Sequence, residues 1–239
     1  MTEPLFRDDP YATEAKARVS AITDQGGVVL DASLFYPTGG GQPGDSGRLS
    51  WAGGEMAVAT AVKGDSDTIV LVPVDGAALP AVGAQIVQTL DWDRRYRLMR
   101  MHTALHLLSV LLPFPVTGGA VGPQKSRLDF AMEAPPEDKP ALEEALNALI
   151  ARDLAVTSDW ITDEELEANP GLVKTMSVQP PTGAGRVRLI RIGTEGEQVD
   201  LQPCGGTHVA RTAQIGRVRL GKVEKKGRLN RRVYIHLDG

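Results

Sequence analysis

Between Ala12 and Trp92 the sequence never sustains a helical period, which confines this stretch to strands. Residues 18–23, 27–31, 57–63, 68–73 and 85–90 are β-favouring runs punctuated by Gly, Asp and Pro. With 26 Gly and 16 Pro in the chain, turns are plentiful. Residues 13–16 offer at most a helical turn. The expectation is a small β-barrel or sandwich over residues 1–92.

The pattern changes at 91–100, DWDRRYRLMR, a charged stretch leading into a helix. Met101, Leu105, Leu108 and Leu112 then share one helical face, and Pro113 ends it. A second helix is expected over 139–154, with Leu142, Leu146, Leu149 and Ile150 inward, and a third over 163–168. Strands are expected at 127–132, 155–161, 186–192, 198–202, 215–225 and 231–237, the last two joined by a turn near 227–230. Residues 93–239 therefore read as an α+β domain. Apolar runs fall short of the ~20 residues a membrane helix needs. The first nine residues carry Glu3, Arg7, Asp8 and Asp9 and no apolar core, so no secretion signal is expected. A single cysteine, Cys204, suits a reducing compartment, so a cytoplasmic location is expected.

That cysteine belongs to a pattern. His102 and His106 lie at i and i+4 on the first helix, about 40° apart around its axis, so both rings can reach one ion. Far downstream stands Cys204-Gly-Gly-Thr-His208, where two glycines permit a tight approach. Either half alone is weak, since paired helical histidines are ordinarily solvated or hydrogen-bonded in a core. Together they use the lone cysteine and three of the 4 histidines. Nitrogen and sulfur donors favour zinc over magnesium or calcium. His236, alternating with Tyr234, reads as structural. The rival chemistry, a Cys204 nucleophile activated by histidine, lacks an orienting third residue and leaves the histidine pair without a role. Asp200 and Gln202, just before the cysteine, are candidates for holding a ligand histidine by hydrogen bonds, or plain strand residues.

HTALHLL followed by DLQPCGGTHVARTAQIG resembles the alanyl-tRNA editing family: the editing domain of alanyl-tRNA synthetase and its free-standing relatives, the AlaX proteins. The match extends to Leu128-Asp129-Phe130 and to KVEKKGRLNRRVYIHL near the end. FYPTGGGQPGDSG, from Phe35 to Gly47, resembles the glycine-rich motif of the longer AlaX class. The resemblance covers nearly the whole chain and leaves no part resembling a synthetase activation domain. It implies a β-barrel followed by an α+β domain of the threonyl/alanyl-tRNA synthetase second additional domain type. It implies Zn2+ at His102, His106, Cys204 and His208, and hydrolysis in trans of tRNA(Ala) mischarged with serine or glycine. The alternatives are a non-catalytic zinc-stabilised tRNA-binding module and a zinc hydrolase of small esters or amides. Four protein ligands ordinarily close a structural site, whereas catalysis needs an open position.

Serine and alanine differ by one hydroxyl, and a pocket that bonds it leaves polar groups unpaired when alanine enters. Thr117 is the candidate reader, with Gln124 second; an ordinary turn or strand position is the alternative for each. Gly39, Gly41 and Gly44 formally match G-x-G-x-x-G, but Pro43 interrupts the motif and a strand follows, so no nucleotide cofactor is expected. Asp45 stands where a phosphate loop needs lysine. A net charge of −4 argues weakly against a nucleic-acid partner. Yet cations gather at Arg217, Arg219, Lys222, Lys225, Lys226, Arg228, Arg231 and Arg232, and again at Arg94, Arg95, Arg97 and Arg100. A solvated face or a tRNA backbone track would both account for them.

Overall fold

A computed structural model describes residues 1–174 and 185–238. It divides into two units, Met1–Tyr96 and Arg97–Gly239, with the boundary inside one helix.

The first unit is the expected barrel. Its elements are β1 (Glu3–Pro4), β2 (Glu14–Ile22), β3 (Val28–Leu30), β4 (Ala32–Ser33), β5 (Gly47–Trp51), β6 (Gly54–Lys63), β7 (Ile69–Pro73) and β8 (Gln85–Leu90). β1 and β4 pair in parallel, and the rest close in the order β2-β3-β7-β6-β5-β8. Period-two alternation explains the closure: Met56 and Val58 on β6, and Ile86, Gln88 and Leu90 on β8, are buried while their neighbours are not. The helical turn near 13–16 is overturned. That segment opens β2, because Ala17 and Val19 alternate into the barrel core and fix a strand register.

The glycine-rich segment makes a two-residue hairpin turn. Gly39 and Gln42 exchange backbone hydrogen bonds of 2.9 and 3.0 Å, with Gly40 and Gly41 at φ of 57° and 82°. It leads into strand β5 and not into a helix. Gly44 is required by contact, since a Cβ there would lie 2.0 Å from the Ala61 carbonyl oxygen. Asp45 is buried and bonds the Tyr36 N–H at 2.6 Å and the Arg95 guanidinium. Arg95 also donates to the carbonyls of Leu34 and Pro10. Arg95 is thus an internal anchor and leaves the list of cations offered to solvent.

The boundary helix, α1 (Trp92–Leu111), begins within the charged stretch and does not wait for it to end. From Met101 to Ser109 every residue is buried, so the single apolar face read from leucine spacing is too narrow. A helix surrounded by protein buries Thr103 and both histidines as well as its leucines.

The second unit then contains β9 (Val116–Ala120), β10 (Lys125–Phe130), α2 (Lys139–Ala151), β11 (Val156–Thr162), α3 (Asp163–Ala168), β12 (Arg186–Thr194), β13 (Glu197–Pro203), β14 (Val218–Gly227) and β15 (Asn230–Leu237). Two antiparallel sheets result, β14-β15-β10-β9 and β11-β12-β13. α2 packs on the first through Asn147, which bonds Val218, and Glu143, which bonds the Leu220 N–H. α2 ends at Ala151, earlier than expected, because Asp153 takes φ 52° and leaves the helix. Ile215 closes a 3-10 turn, Thr212–Ile215, and Gly216 at φ 71° delays β14 until Val218. Among the described residues no helix is long and apolar enough to cross a membrane.

Candidate metal centre

α1 and the segment leaving β13 bring His102, His106, Cys204 and His208 together. One donor atom from each lies within 4.8 Å of the others. The Cys204 Sγ is 3.5 Å from His102 Nε2 and 3.3 Å from His208 Nε2. The three imidazole rings have centroids 4.4 to 5.4 Å apart. Three nitrogens and one sulfur, converging and largely buried, suit a tetrahedral N/S-ligated ion.

Neighbouring groups orient the rings. Thr103 donates its hydroxyl proton to the Met99 carbonyl at 3.0 Å, so its oxygen accepts from His208 Nδ1, 3.1 Å away. That turns the His208 Nε2 lone pair inward. His106 Nδ1 donates to Asp200 Oδ2 at 3.0 Å, and Gln202 Nε2 donates to the same oxygen at 2.7 Å. Lys174 Nζ bonds the other Asp200 oxygen. Asp200 and Gln202 were legible as orienting residues. Thr103 and Lys174 were not, although Thr103 sits inside the HTALH motif.

The electrostatics follow from burial and these partners. Burial works to lower the His106 pKa, but Asp200 and Cys204 outweigh it and raise it to about 9. Burial and then the His102 charge lower His208 to about 3. Burial opposes ionisation of Cys204, but His102 and His208 overcome it and hold the thiol well below its usual range. Asp200, pushed up by burial, is held at about 2 by His106 and Lys174. A thiolate and an inward lone pair on His208 are what a cation requires.

Cys204 and His208 approach closely across the two glycines, as expected, but not through left-handed backbone. Neither is among the positive-φ glycines. Gly206 donates its N–H back toward Cys204 Sγ at 3.4 Å, and its carbonyl accepts from Arg188 Nη1 at 2.9 Å.

Thr117 lies on β9, where its hydroxyl donates to the Asp129 carbonyl at 3.1 Å and accepts from Asn230 Nδ2 at 2.8 Å. Gln124 is exposed in the β9–β10 turn. The hydrogen bonds around the four candidate metal donors run to Thr103, Asp200 and Gln202. β9 connects to it through Lys174, whose carbonyl accepts from the Val116 N–H at 2.9 Å.

Comparison with known proteins gives this geometry a context. Residues 187–234 match the threonyl and alanyl tRNA synthetase second additional domain, and residues 9–94 match class II (A) tRNA synthetases. The alanyl-tRNA editing protein AlaX-M of Methanosarcina acetivorans is 36% identical, over 99% of this chain and 99% of its own. The chain belongs to the alanyl-tRNA editing AlaX-M family. A second member, from Saccharolobus solfataricus, is 36% identical over 98% of both chains. The alanine–tRNA ligase of Pyrobaculum neutrophilum is 37% identical over 94% of this chain, which corresponds to 25% of the ligase. The match with the ligase thus covers residues of both units of this chain.

Proposed function

We propose that this chain is a trans-editing hydrolase that releases serine, or glycine, from mischarged tRNA(Ala) at a zinc site formed by His102, His106, Cys204 and His208. The observation that carries the reading is the convergence of those four donor atoms within 4.8 Å, in a chain that matches named editing proteins along its full length. Zinc held there would supply Lewis acidity where an aminoacyl ester carbonyl gains negative charge as water attacks. The chain's own residues supply orientation: Thr103 aims His208, and the Asp200 carboxylate, pinned by Gln202 and Lys174, aims His106. The barrel of residues 1–92 and the α+β domain of residues 93–239 act as one editing module on this reading.

Discrimination against alanine is assigned to Thr117, with Gln124 as the second candidate. The Thr117 proton is committed to the Asp129 carbonyl, so toward a substrate hydroxyl it would act as acceptor. Replacing Thr117 by Val should narrow the preference for Ser-tRNA(Ala) over Ala-tRNA(Ala) by about tenfold or more. Unchanged selectivity would remove Thr117 from the role.

The deciding experiment compares deacylation of Ser-, Gly- and Ala-tRNA(Ala) by the purified chain, with and without a chelator. Release of serine or glycine, alanine spared and activity lost on chelation is the expected result. No release from any substrate by zinc-loaded protein would leave a tRNA-binding module. Release from small free esters, indifferent to tRNA, would indicate a different hydrolase.

A further inference from the structure

The cations near the C-terminus do not act together, because strand alternation sorts them. Along β15, Arg231, Val233 and Ile235 are buried, while Arg232, Tyr234 and His236 point the other way. Arg231 is spent inside, donating to the Glu133 and Gly227 carbonyls. The outer face continues across the sheet. Lys125 pairs with His236, Arg127 with Tyr234 and Asp129 with Arg232, and from β14 Arg219 faces His236 and Glu224 faces Arg232. A bulge at Gly221, where a Cβ would meet His236 Nε2 at 2.7 Å, shifts the register between Leu220 and Val223.

We infer that this outer face of the four-stranded sheet docks the phosphodiester backbone of a tRNA acceptor arm, on Lys125, Arg127, Arg219, Lys222, Lys226 and Arg232. The inference rests on the editing function proposed above. Its first support is charge segregation. Cations outnumber the acids of this face, Asp129, Glu224 and Asp238, whereas in the whole chain acids outnumber cations 30 to 26. Its second is preorganisation. Lys125 Nζ sits 4.0 Å and Lys222 Nζ 5.6 Å from the Tyr234 ring centroid. The Tyr234 hydroxyl donates to Glu224, which binds Lys222 and Lys226, and Arg232 forks onto Asp129 at 2.7 and 2.8 Å. Cations already tethered lose less side-chain freedom when a phosphate arrives. Arg219 and Lys222 nonetheless reach solvent, their side chains being 64% and 63% exposed, while Arg127 and Arg232 are about a quarter exposed or less. Tyr234 is covered by ammonium groups, so the face suits phosphate oxygens and not stacked bases.

The test is binding of uncharged tRNA(Ala) to the full chain between about 50 and 200 mM KCl, with Lys125→Gln/Arg219→Gln/Lys222→Gln against the parent. The triple variant should bind at least about tenfold more weakly, and its slope of log affinity against log salt should be shallower by about 2 to 3. A second variant, Lys222→Glu alone, should weaken binding in the same direction and guards against misfolding of the triple. Unchanged affinity and slope in folded variants would overturn the inference. So would loss of poly-glutamate binding with tRNA binding intact, which would give the face to an acidic polypeptide. Deacylation by the parent is read separately. Its absence alongside salt-sensitive, variant-sensitive tRNA binding would sink the hydrolase reading and sustain this surface.

Discussion

Each unit buries a cluster of polar groups, and the two clusters are built on opposite logic. In the first unit, Arg95 of α1 and Asp45 face each other at 0% and 1% side-chain exposure, a cation against an anion. Their remaining capacity is met by the carbonyls of Leu34 and Pro10 and the Tyr36 N–H. Donors meet acceptors, and the network closes on itself. At the candidate metal centre, His102, His106, Cys204 and His208 turn lone-pair-bearing atoms toward one another. Acceptors crowded together repel unless protons or a cation lie among them. Burial alone does not separate scaffold from site; the balance of donors and acceptors does.

The sharpest way to break that contrast is to open the closed pair. Asp45→Ala leaves the Arg95 charge buried and should cost about 3–5 kcal/mol in urea unfolding. Replacing both residues by apolar ones of similar volume should cost much less; an equal cost would mean that the pair does more than satisfy itself. Loosening the metal centre should act on the ion first. Thr103→Val and Asp200→Asn should each weaken metal binding about 10- to 100-fold by competition with a chromophoric chelator. A Co2+-loaded protein whose visible spectrum ignores both changes would deny them the orienting role.

The smallest expected effect concerns protons. With His106 raised to about 9, the metal-free protein carries a proton that an ion must displace at neutral pH. Calorimetry in buffers of different ionisation enthalpy should show about one proton released by His106 at pH 7, fading as pH passes about 9. The sign for stability follows. A histidine raised from 6.5 to about 9 favours the folded, metal-free chain fully below pH 6.5, and that contribution disappears as pH climbs through about 9. A proton release independent of pH over that window would contradict the assignment.

Much of this was open to reading along the chain because the signals are local. The i, i+4 histidines, the CGGTH segment and the i−2 and i−4 placement of Gln202 and Asp200 before Cys204 are short-range patterns, and helix and strand periods convert them into geometry. The barrel strands were legible for the same reason. The misreadings share the opposite property. Arg95 counted as a surface cation because its partner lies 50 residues away in sequence. α1 looked one-faced because leucine spacing marks where apolar residues fall, not how many neighbours will surround the helix.

Sequence by itself therefore determined the candidate ligand set, the α+β class and the family, since each depends on residue identity at short spacing. Tertiary structure decided which nitrogen of each oriented histidine faces inward, through Thr103 and through Asp200 with Lys174 behind it. It also decided which cations are spent in the core and which share one sheet face. Those outcomes depend on strand register and on contacts between residues about a hundred positions apart, as between Thr103 and His208, and no local period encodes them.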